Sequence, residues 1–464
     1  KEANRFFQQF KYNAALQLYT KAIELDPSNA ILYGNRAATH LKLESYGSAV
    51  VDAQQTISLD PAYVKGYYRR GSAYMALGKT ALALKDFRTA VKLVPKSREA
   101  RNKFNECSKI VKQQRFAAAI ASKSDKHSVL EELAINDMGV QENYIGPRFD
   151  EDKITLKFVK DMIEAFKAQK QIHNKYAYKI LSQVKEFLQK QPSLVNIDVP
   201  EDGVFNVCGD VHGQFYDLIH IFEVNGFPSE TNPYLFNGDF VDRGSFSCEV
   251  IFTLLSLKLL YPSHFFMARG NHETTAMNKI YGFHGEVKAK YTETMYFLFT
   301  EVFSCLPICH VIGGKYFAVH GGLPSTDGVK LEQIARVDRM REPGDSGLLS
   351  DLLWADPQAM PGRGPSKRGI GFAFGPDIVE RFLNDNGLGM VIRSHEVKAN
   401  GYEIEANGKL VTVFSAPNYC DQMGNKGALI RISGKDMSAE YITFDAVPHP
   451  HVPPMSYASP LFSF

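Results

Sequence analysis

The sequence predicts a multidomain chain: an all-α superhelix of tandem helical pairs, then an α/β domain built as a mixed sheet or sandwich flanked by helices. Three observations predict it. A 34-residue period recurs through the first hundred residues. From Val204 onward, short apolar runs alternate with helical ones. Five of those apolar runs end in turns rich in Gly, Asp and His.

At 464 residues the chain can hold two or three domains, each with its own core. Its composition, 44% hydrophobic and 22% charged, is that of ordinary globular protein, and a net charge of +2 argues against nucleic acid as a partner of the whole chain. No run approaches the roughly 18 uncharged apolar residues of a membrane span. No secretory signal is visible, and the opening at Lys1 falls inside a helical pattern, which predicts further residues upstream. The six cysteines (Cys107, Cys208, Cys248, Cys305, Cys309, Cys420) contain no C-x-x-C pair. In a chain this size they read as reduced thiols, which predicts a cytoplasmic and nuclear location. Residues 1–97 carry 14 Lys and Arg against 7 Asp and Glu, a surplus of +7 that leaves −5 for the remainder. A basic head on a mildly acidic body suggests two separate tasks.

The repeats come first. Two full units span 30–63 and 64–97, and a truncated first unit keeps "NAALQLYTKAIELDP". In register, Ala15, Ala49 and Ala83 coincide, as do Ala3, Ala37 and Gly71, and Pro27, Pro61 and Pro95. Small residues recur where paired helices approach closely, and each proline follows a helix it cannot continue. This pattern over residues 1–97 resembles the tetratricopeptide repeat. Positions 2, 6, 9 and 13 of each first helix share one face. They hold Asn4 in the first unit, Asn35 and Lys42 in the second, and Lys65 and Arg69 in the third. Amides and cationic heads on one stripe suit a peptide ending in carboxylates. The stripe is similar to the two-carboxylate clamp that reads the acidic C-terminal tails of cytosolic heat-shock chaperones. That resemblance implies one more clamp lysine just before Lys1.

Residues 98–152 read as a helical extension, through Phe104, Cys107, Ile110, Val111 and Phe116, followed by a polar connector from about Ser122 to Asp152. Residues 153–464 form the second domain, with a Pro-rich tail. Two helices open it, over 155–170 and 175–190. "VFNV", "YLF", "HFFMA", "KYFAVH", "GMVIRSH" and "LVTVFSA" read as buried strands, with helices between the first three. Active sites of such βαβαβ sheets lie beyond the strand ends.

Those ends carry the ligands: "GDVHG" (209–213), "GDFVDRG" (238–244), "RGNHE" (269–273), "VHGG" at His320 and "RSHE" at His395. A lone Gly-Asp or a lone His is more often a turn residue or a satisfied core histidine. Five such turns after five strands are hard to obtain by chance. Glycine is expected to take the dihedrals a side chain forbids and to let the backbone approach the site. Carboxylate, imidazole and amide oxygen together suit Mn²⁺, Fe²⁺/Fe³⁺ or Zn²⁺ better than calcium. Asp210, His212, Asp239, Asn271, His320 and His395 are too many for one ion and fit two, sharing one carboxylate. Two ions about 3.5–4 Å apart can hold a hydroxide between them for in-line displacement.

GDxHG, GDxxDRG and GNHE in this order resemble the metallophosphoesterases. "SAPNYCD" (415–421), "RSHE" and "LLWADP" (352–357) narrow the resemblance, over about 155–445, to the serine/threonine phosphoprotein phosphatases, here of the tetratricopeptide-repeat-containing kind. It implies a metallophosphoesterase-type sandwich. Asp210, His212 and Asp239 would hold one metal, and Asp239, Asn271, His320 and His395 the other, with no departure at any ligand. His272 would be the general acid, oriented by Asp242. Arg243, Asn271, Arg368 and Tyr419 would bind the phosphate. For Arg368 and Tyr419 the residues alone leave a loop arginine and simple packing equally open. Cys420 is not a phosphatase nucleophile, because the H-C-x₅-R loop is absent, and Cys208 reads as a strand residue.

The expected function is hydrolysis of phosphoserine and phosphothreonine in phosphoprotein substrates by a metal-bridging hydroxide, with recruitment to chaperone tails. The charge asymmetry and the family's regulatory habits add autoinhibition by the repeats. The alternatives are a metallophosphodiesterase and a chaperone-bound scaffold with a dead catalytic domain; the complete ligand set argues against the scaffold.

Overall fold

The computed structural model describes residues 1–121, 128–149 and 153–458. They fall into two compact units, one holding residues 1–121 and 365–372, the other residues 128–149, 153–364 and 373–458. Residues 122–127 and 150–152 of the polar connector, and the end of the tail at 459–464, lie outside the described residues.

The helical unit is three antiparallel pairs and a seventh helix: α1 (Glu2–Gln8), α2 (Tyr12–Leu25), α3 (Ala30–Lys42), α4 (Tyr46–Leu59), α5 (Val64–Ala76), α6 (Thr80–Leu93) and α7 (Arg98–Ala121). Ala15, Ala37, Ala49 and Ala83 are fully buried, and a Cβ on Gly71 would meet the Phe87 ring at 3.0 Å, so the in-register small residues are where helices touch. A second element of the period is electrostatic. The Arg36 guanidinium forks onto Asp52 at 2.7 and 2.8 Å, and Arg70, 34 residues on, forks onto Asp86 at 2.8 and 2.6 Å. Each arginine also donates back to the preceding unit, Arg36 to Thr20 and Arg70 to Gln54. A bidentate pair fixes orientation as well as distance, so each fork locks the two helices of its own repeat together, and the second donation ties that repeat to the one before it. α7 packs along α6, with Cys107 and Val111 buried.

The second unit opens with α8 (Leu156–Lys167) and α9 (Asn174–Gln189), both strongly amphipathic, and continues as a two-sheet sandwich. Its strands and following helices are β1 (Leu194–Ile197), β2 (Val204–Cys208), α10 (Phe215–Asn225), β3 (Tyr234–Phe236), α11 (Ser247–Leu260), β4 (Phe265–Met267), α12 (Thr275–Tyr281), α13 (Phe283–Lys290), α14 (Glu293–Cys305), β5 (Cys309–Ile312) and β6 (Tyr316–Val319). After the short β7 (Asp356–Pro357), β8 (Arg363–Pro365) and β9 (Phe372–Phe374) come β10 (Met390–Arg393), β11 (Tyr402–Glu405), β12 (Leu410–Val413), β13 (Gly427–Ser433) and β14 (Ala439–Phe444). One sheet has the order β1-β5-β6-β10-β12-β11, the other β14-β13-β2-β3-β4. The β2-β3-β4 ladder is parallel, as the βαβαβ reading requires, and β13 and β14 add to it antiparallel. Both sheets are therefore mixed. Phe205, Val207, Leu235 and Ile430 of one sheet meet Ile312, Ile392 and Val411 of the other between them, while α8–α11 and α14 cover the outer face of β2-β3-β4.

A buried lysine sits against this core. Lys258 of α11 is 5% exposed; its ammonium donates to the Pro262 and Phe265 carbonyls, each at 2.8 Å, beside the Phe187 and Phe266 rings. Burial pushes it down to about 7. A base whose folded pKa lies below its unfolded one binds fewer protons when folded, so stability rises with pH from about 7 to about 10 and the penalty is complete below 7. Lys258→Met should remove that slope. Urea midpoints at pH 7 and 9.5 check it: wild type gains on the variant as pH rises, and parallel profiles would contradict the assignment.

Candidate metal centre

The five ligand turns leave the ends of β2, β3, β4, β6 and β10, so three belong to one sheet and two to the other. They meet where the sheets converge: Asp210 forms a parallel bridge to Phe414, and its Oδ1 accepts the His395 backbone N–H at 3.0 Å. The expected division of labour between glycine and ligand holds only in part. Gly270 is there for close approach, since a Cβ would lie 2.2 Å from Asp239 Oδ1. The left-handed dihedrals, however, fall on ligands as well as glycines: His212 has φ 40°, Asp239 52° and His395 73°. Non-glycine residues held in that region store strain that the surrounding structure must over-determine.

All six predicted metal ligands are buried. Asp239 Oδ2 is 3.5 Å from His212 Nε2 and 3.3 Å from His320 Nε2, so it stands between the two groups, where the shared carboxylate is expected. Asp210 Oδ2 is 3.6 Å from His212 Nε2. His320 Nε2 lies 2.9 Å from Asn271 Oδ1 and 3.2 Å from His395 Nδ1. Carbonyl contacts fix the imidazole tautomers. His212 Nδ1–H donates to the Val241 carbonyl at 3.0 Å and His320 Nδ1–H to that of Asn237 at 2.9 Å. A neutral ring then has only a lone pair on Nε2, so the Nε2 atoms of His212 and His320 face the Asp239 carboxylate, and that of His320 the Asn271 amide oxygen, with no proton to share. Cations resolve that conflict, and the backbone-held imidazoles are the usual second layer of a metal site. The donor set fits two ions. Two buried clusters of candidate ligand atoms, Asp239–His320–His395 and His212–Asp239–His272, share Asp239, the second including the expected general acid His272 in place of Asp210.

The electrostatics agree. Burial, and then the neighbouring Asp239, push Asp210 up to about 8. Burial holds His212 well below its ordinary value, His272 adding to it, and lowers His320 too. A shell that disfavours both its anions and its protonated imidazoles calls for an external positive charge.

The two residues expected to handle the proton, His272 and Asp242, are in contact. His272 Nδ1 is 2.8 Å from Asp242 Oδ2, and Asp242 also accepts from the Phe283 backbone and the Asn278 amide at 2.9 and 3.1 Å. Burial pushes Asp242 up to about 7. Arg243 lies flat on the Tyr281 ring, its guanidinium carbon 3.7 Å from the centroid, and the Tyr419 ring is 5.2 Å from that of His212. Arg368 lies in residues 365–372, which group with the helical unit; its backbone N–H donates to Ser366 Oγ at 3.0 Å. Of the repeat stripe, Asn4 accepts from the Tyr19 hydroxyl at 2.5 Å, and Arg69 senses both Tyr63 and Tyr19. Arg69 Nη1 is buried without a hydrogen-bond partner among the described residues. Lys65 is exposed one turn earlier on α5, while Asn35 and Lys42 are half-buried on α3.

Sequence reasoning missed three supporting residues. Glu273 accepts the backbone N–H groups of Asp239, Phe240 and Gly270, all at 2.9 Å, tying the second and third turns together. Its place beside His272 in "RGNHE" was the available signal. Arg393, fully buried, donates to the Gly321 carbonyl and pairs with Asp356 at 2.9 Å, fixing the turns that carry His320 and His395. Asn278 had no signal at all.

Comparison with known proteins follows the same division. A family profile described as "Calcineurin-like phosphoesterase" matches residues 204–399, "PPP5 TPR repeat region" matches 104–196, and tetratricopeptide-repeat profiles match 3–44 and 64–97. The chain is 55% identical to "Serine/threonine-protein phosphatase 5" of Homo sapiens, over 99% of its own length and 92% of that protein's. It is 50% identical to the protein of the same name from Arabidopsis thaliana, covering 99% and 95% respectively. Among solved structures, a Saccharomyces cerevisiae protein serine/threonine phosphatase described as similar to human PP5 superposes with TM-score 0.63 at 43% identity, covering 65% of this chain and all of that one. The catalytic turns, the in-register repeats and these near full-length identities together place the chain in the serine/threonine-protein phosphatase 5 family.

Proposed function

We propose that this serine/threonine-protein phosphatase hydrolyses phosphoserine and phosphothreonine at the dinuclear site formed by Asp210, His212, Asp239, Asn271, His320 and His395. The observation that carries the reading is Asp239 Oδ2 standing within 3.5 Å of imidazole nitrogens from both halves of the site. Bound there, two divalent or mixed-valence first-row ions (manganese, iron or zinc) supply Lewis acidity, which polarises phosphoryl oxygens and makes water nucleophilic near neutral pH. The chain's own residues do the rest. Arg243, with Asn271 and Tyr419, orients the phosphate, a task suited to guanidinium forks. His272, its Nδ1–H held by Asp242, delivers its other proton to the departing alkoxide. No side chain is required to become phosphorylated. Metal analysis coupled to a phosphoserine-peptide assay tests the whole: chelation abolishes turnover, metal restores it, and a trapped covalent phosphoprotein would refute the scheme. A bis-nitrophenyl phosphate control separates it from a phosphodiesterase.

The repeat stripe is proposed to clamp an acidic chaperone C-terminal tail. The buried, unpartnered Nη1 of Arg69 beside exposed Lys65 supports a carboxylate ligand. We further propose that the repeats hold basal activity low in a cytoplasmic and nuclear setting. Among the described residues no helix is long and apolar enough to cross a membrane. A pentapeptide ending in acidic residues should bind the full chain saturably and raise its turnover. Lys65→Ala with Arg69→Ala should remove both effects; binding unaffected by that pair would refute the clamp.

A further inference from the structure

The Pro-rich segment after β14 has no role in the chemistry above, yet it is fastened along the catalytic turns. The Val447 N–H donates to Asp217 Oδ1 at 2.9 Å, and His449 Nε2 lies 3.1 Å from Asp421 Oδ1. Ser245, two residues beyond Arg243 and 3% exposed, donates its hydroxyl to the Pro453 carbonyl at 2.6 Å and accepts the Ser456 N–H at 3.2 Å. Met455 then closes on Arg243 itself. Its N–H donates to the Arg243 carbonyl at 2.8 Å, and Arg243 Nη1 approaches its sulfur at 3.8 Å. Beyond it, Gly285 packs so tightly that a Cβ there would overlap the Tyr457 carbonyl.

Arg243 is thus held on three sides. Its backbone N–H donates to the Tyr281 carbonyl, its guanidinium lies on the Tyr281 ring, and the strap covers its outer edge. The Tyr281 ring is also 5.1 Å from that of His272, so one aromatic plate separates the phosphate grip from the proton donor. Arg243 and Met455 both have left-handed backbones, φ 69° and 56°, conformations that an isolated turn would relax.

We infer that residues 453–457 form a positioning strap that pre-organises Arg243 for the phosphoryl group, with Met455 and Ser245 as positioning residues. The inference rests on Arg243 being a phosphate ligand. A guanidinium already immobilised loses less conformational freedom when phosphate arrives, so the strap acts on binding more than on the bond-breaking step.

The test uses the full chain, inorganic phosphate as competitive inhibitor and a phosphoserine peptide as substrate. Met455→Ala should raise both the phosphate Ki and the peptide KM by about fivefold, with a smaller change in kcat and with metal content retained. Met455→Leu, which keeps the shape, should recover part of the loss, and Ser245→Ala should reproduce it from the other side of the strap. In an Arg243→Ala background Met455→Ala should add nothing, because the group it positions is gone. If Arg243→Ala leaves the phosphate Ki unchanged, the reading of Arg243 fails. If Arg243→Ala weakens phosphate but Met455→Ala and Ser245→Ala do not, or if the effects simply add, the strap alone is refuted. Tighter phosphate binding by Met455→Ala would also overturn it, making the strap a competitor for the guanidinium.

Discussion

His272→Ala should lower kcat for a phosphoserine peptide by about two to four orders of magnitude, the usual contribution of a positioned general acid. Metal content should be retained. The geometry sets that separation. His272 Nδ1 is committed to Asp242 at 2.8 Å, and its backbone N–H donates to Asp239 Oδ1 at 2.9 Å. An alanine keeps the second bond, which is a main-chain contact, and so keeps the turn. What disappears is the proton for a serine alkoxide, a poor leaving group when unprotonated. An aryl phosphate, whose leaving group needs no such help, should lose much less. Equal losses on the two substrates would instead make His272 a general electrostatic or structural element. Asp242→Asn should follow the same pattern more weakly, because an amide can still orient the ring through its carbonyl but carries no charge to stabilise its protonated form.

How much of this was readable beforehand depended on whether the signal was local. The ligand turns were visible because each is a short motif that follows a strand of consecutive apolar residues. The repeats were visible because a period averages over three copies. The strands β1 and β5 were not separately predicted. They pair with each other at Leu194–Ile197 and Cys309–Ile312, more than a hundred residues apart, and each is only four residues long. β13, the strand that joins β2 to the antiparallel edge, begins with Gly427, and its pairing with residues 204–208 is set by tertiary packing. The Arg36–Asp52 and Arg70–Asp86 forks recur at the repeat spacing, but charged residues on a helix carry no local sign of pairing across to the next helix, unlike the small residues and prolines that set the register. The dihedrals of His212, Asp239 and His395 were not readable at all. Nothing in a one-dimensional pattern says that a ligand, as well as its glycine neighbour, carries the left-handed backbone.

Asp239→Asn should remove the activity most completely while making the metal-free protein more stable. The two outcomes have one cause. Asp239 uses Oδ1 to accept the His272 N–H and turns Oδ2 toward the Nε2 atoms of His212 and His320, at 3.5 and 3.3 Å. With a carboxylate there and no cation, acceptor faces acceptor. The charge also pushes Asp210 up toward neutrality, adding to burial. An asparagine of the same shape can keep its oxygen on His272 and offer its amide hydrogens to the imidazoles, exchanging repulsion for hydrogen bonds. Neutralising a buried carboxylate that faces acceptors removes a desolvation cost that no cation offsets in the metal-free protein. That gain should appear in urea unfolding of chelated samples. In the presence of metal the order should reverse, since the wild type alone can bridge two ions and is stabilised by binding them. The variant should hold one ion or none by elemental analysis. Its kcat should fall by more than about 10³-fold, beyond the loss of a single preorganised donor. A variant that retained two ions, or a chelated variant weaker than chelated wild type, would show that Asp239 is not the shared ligand.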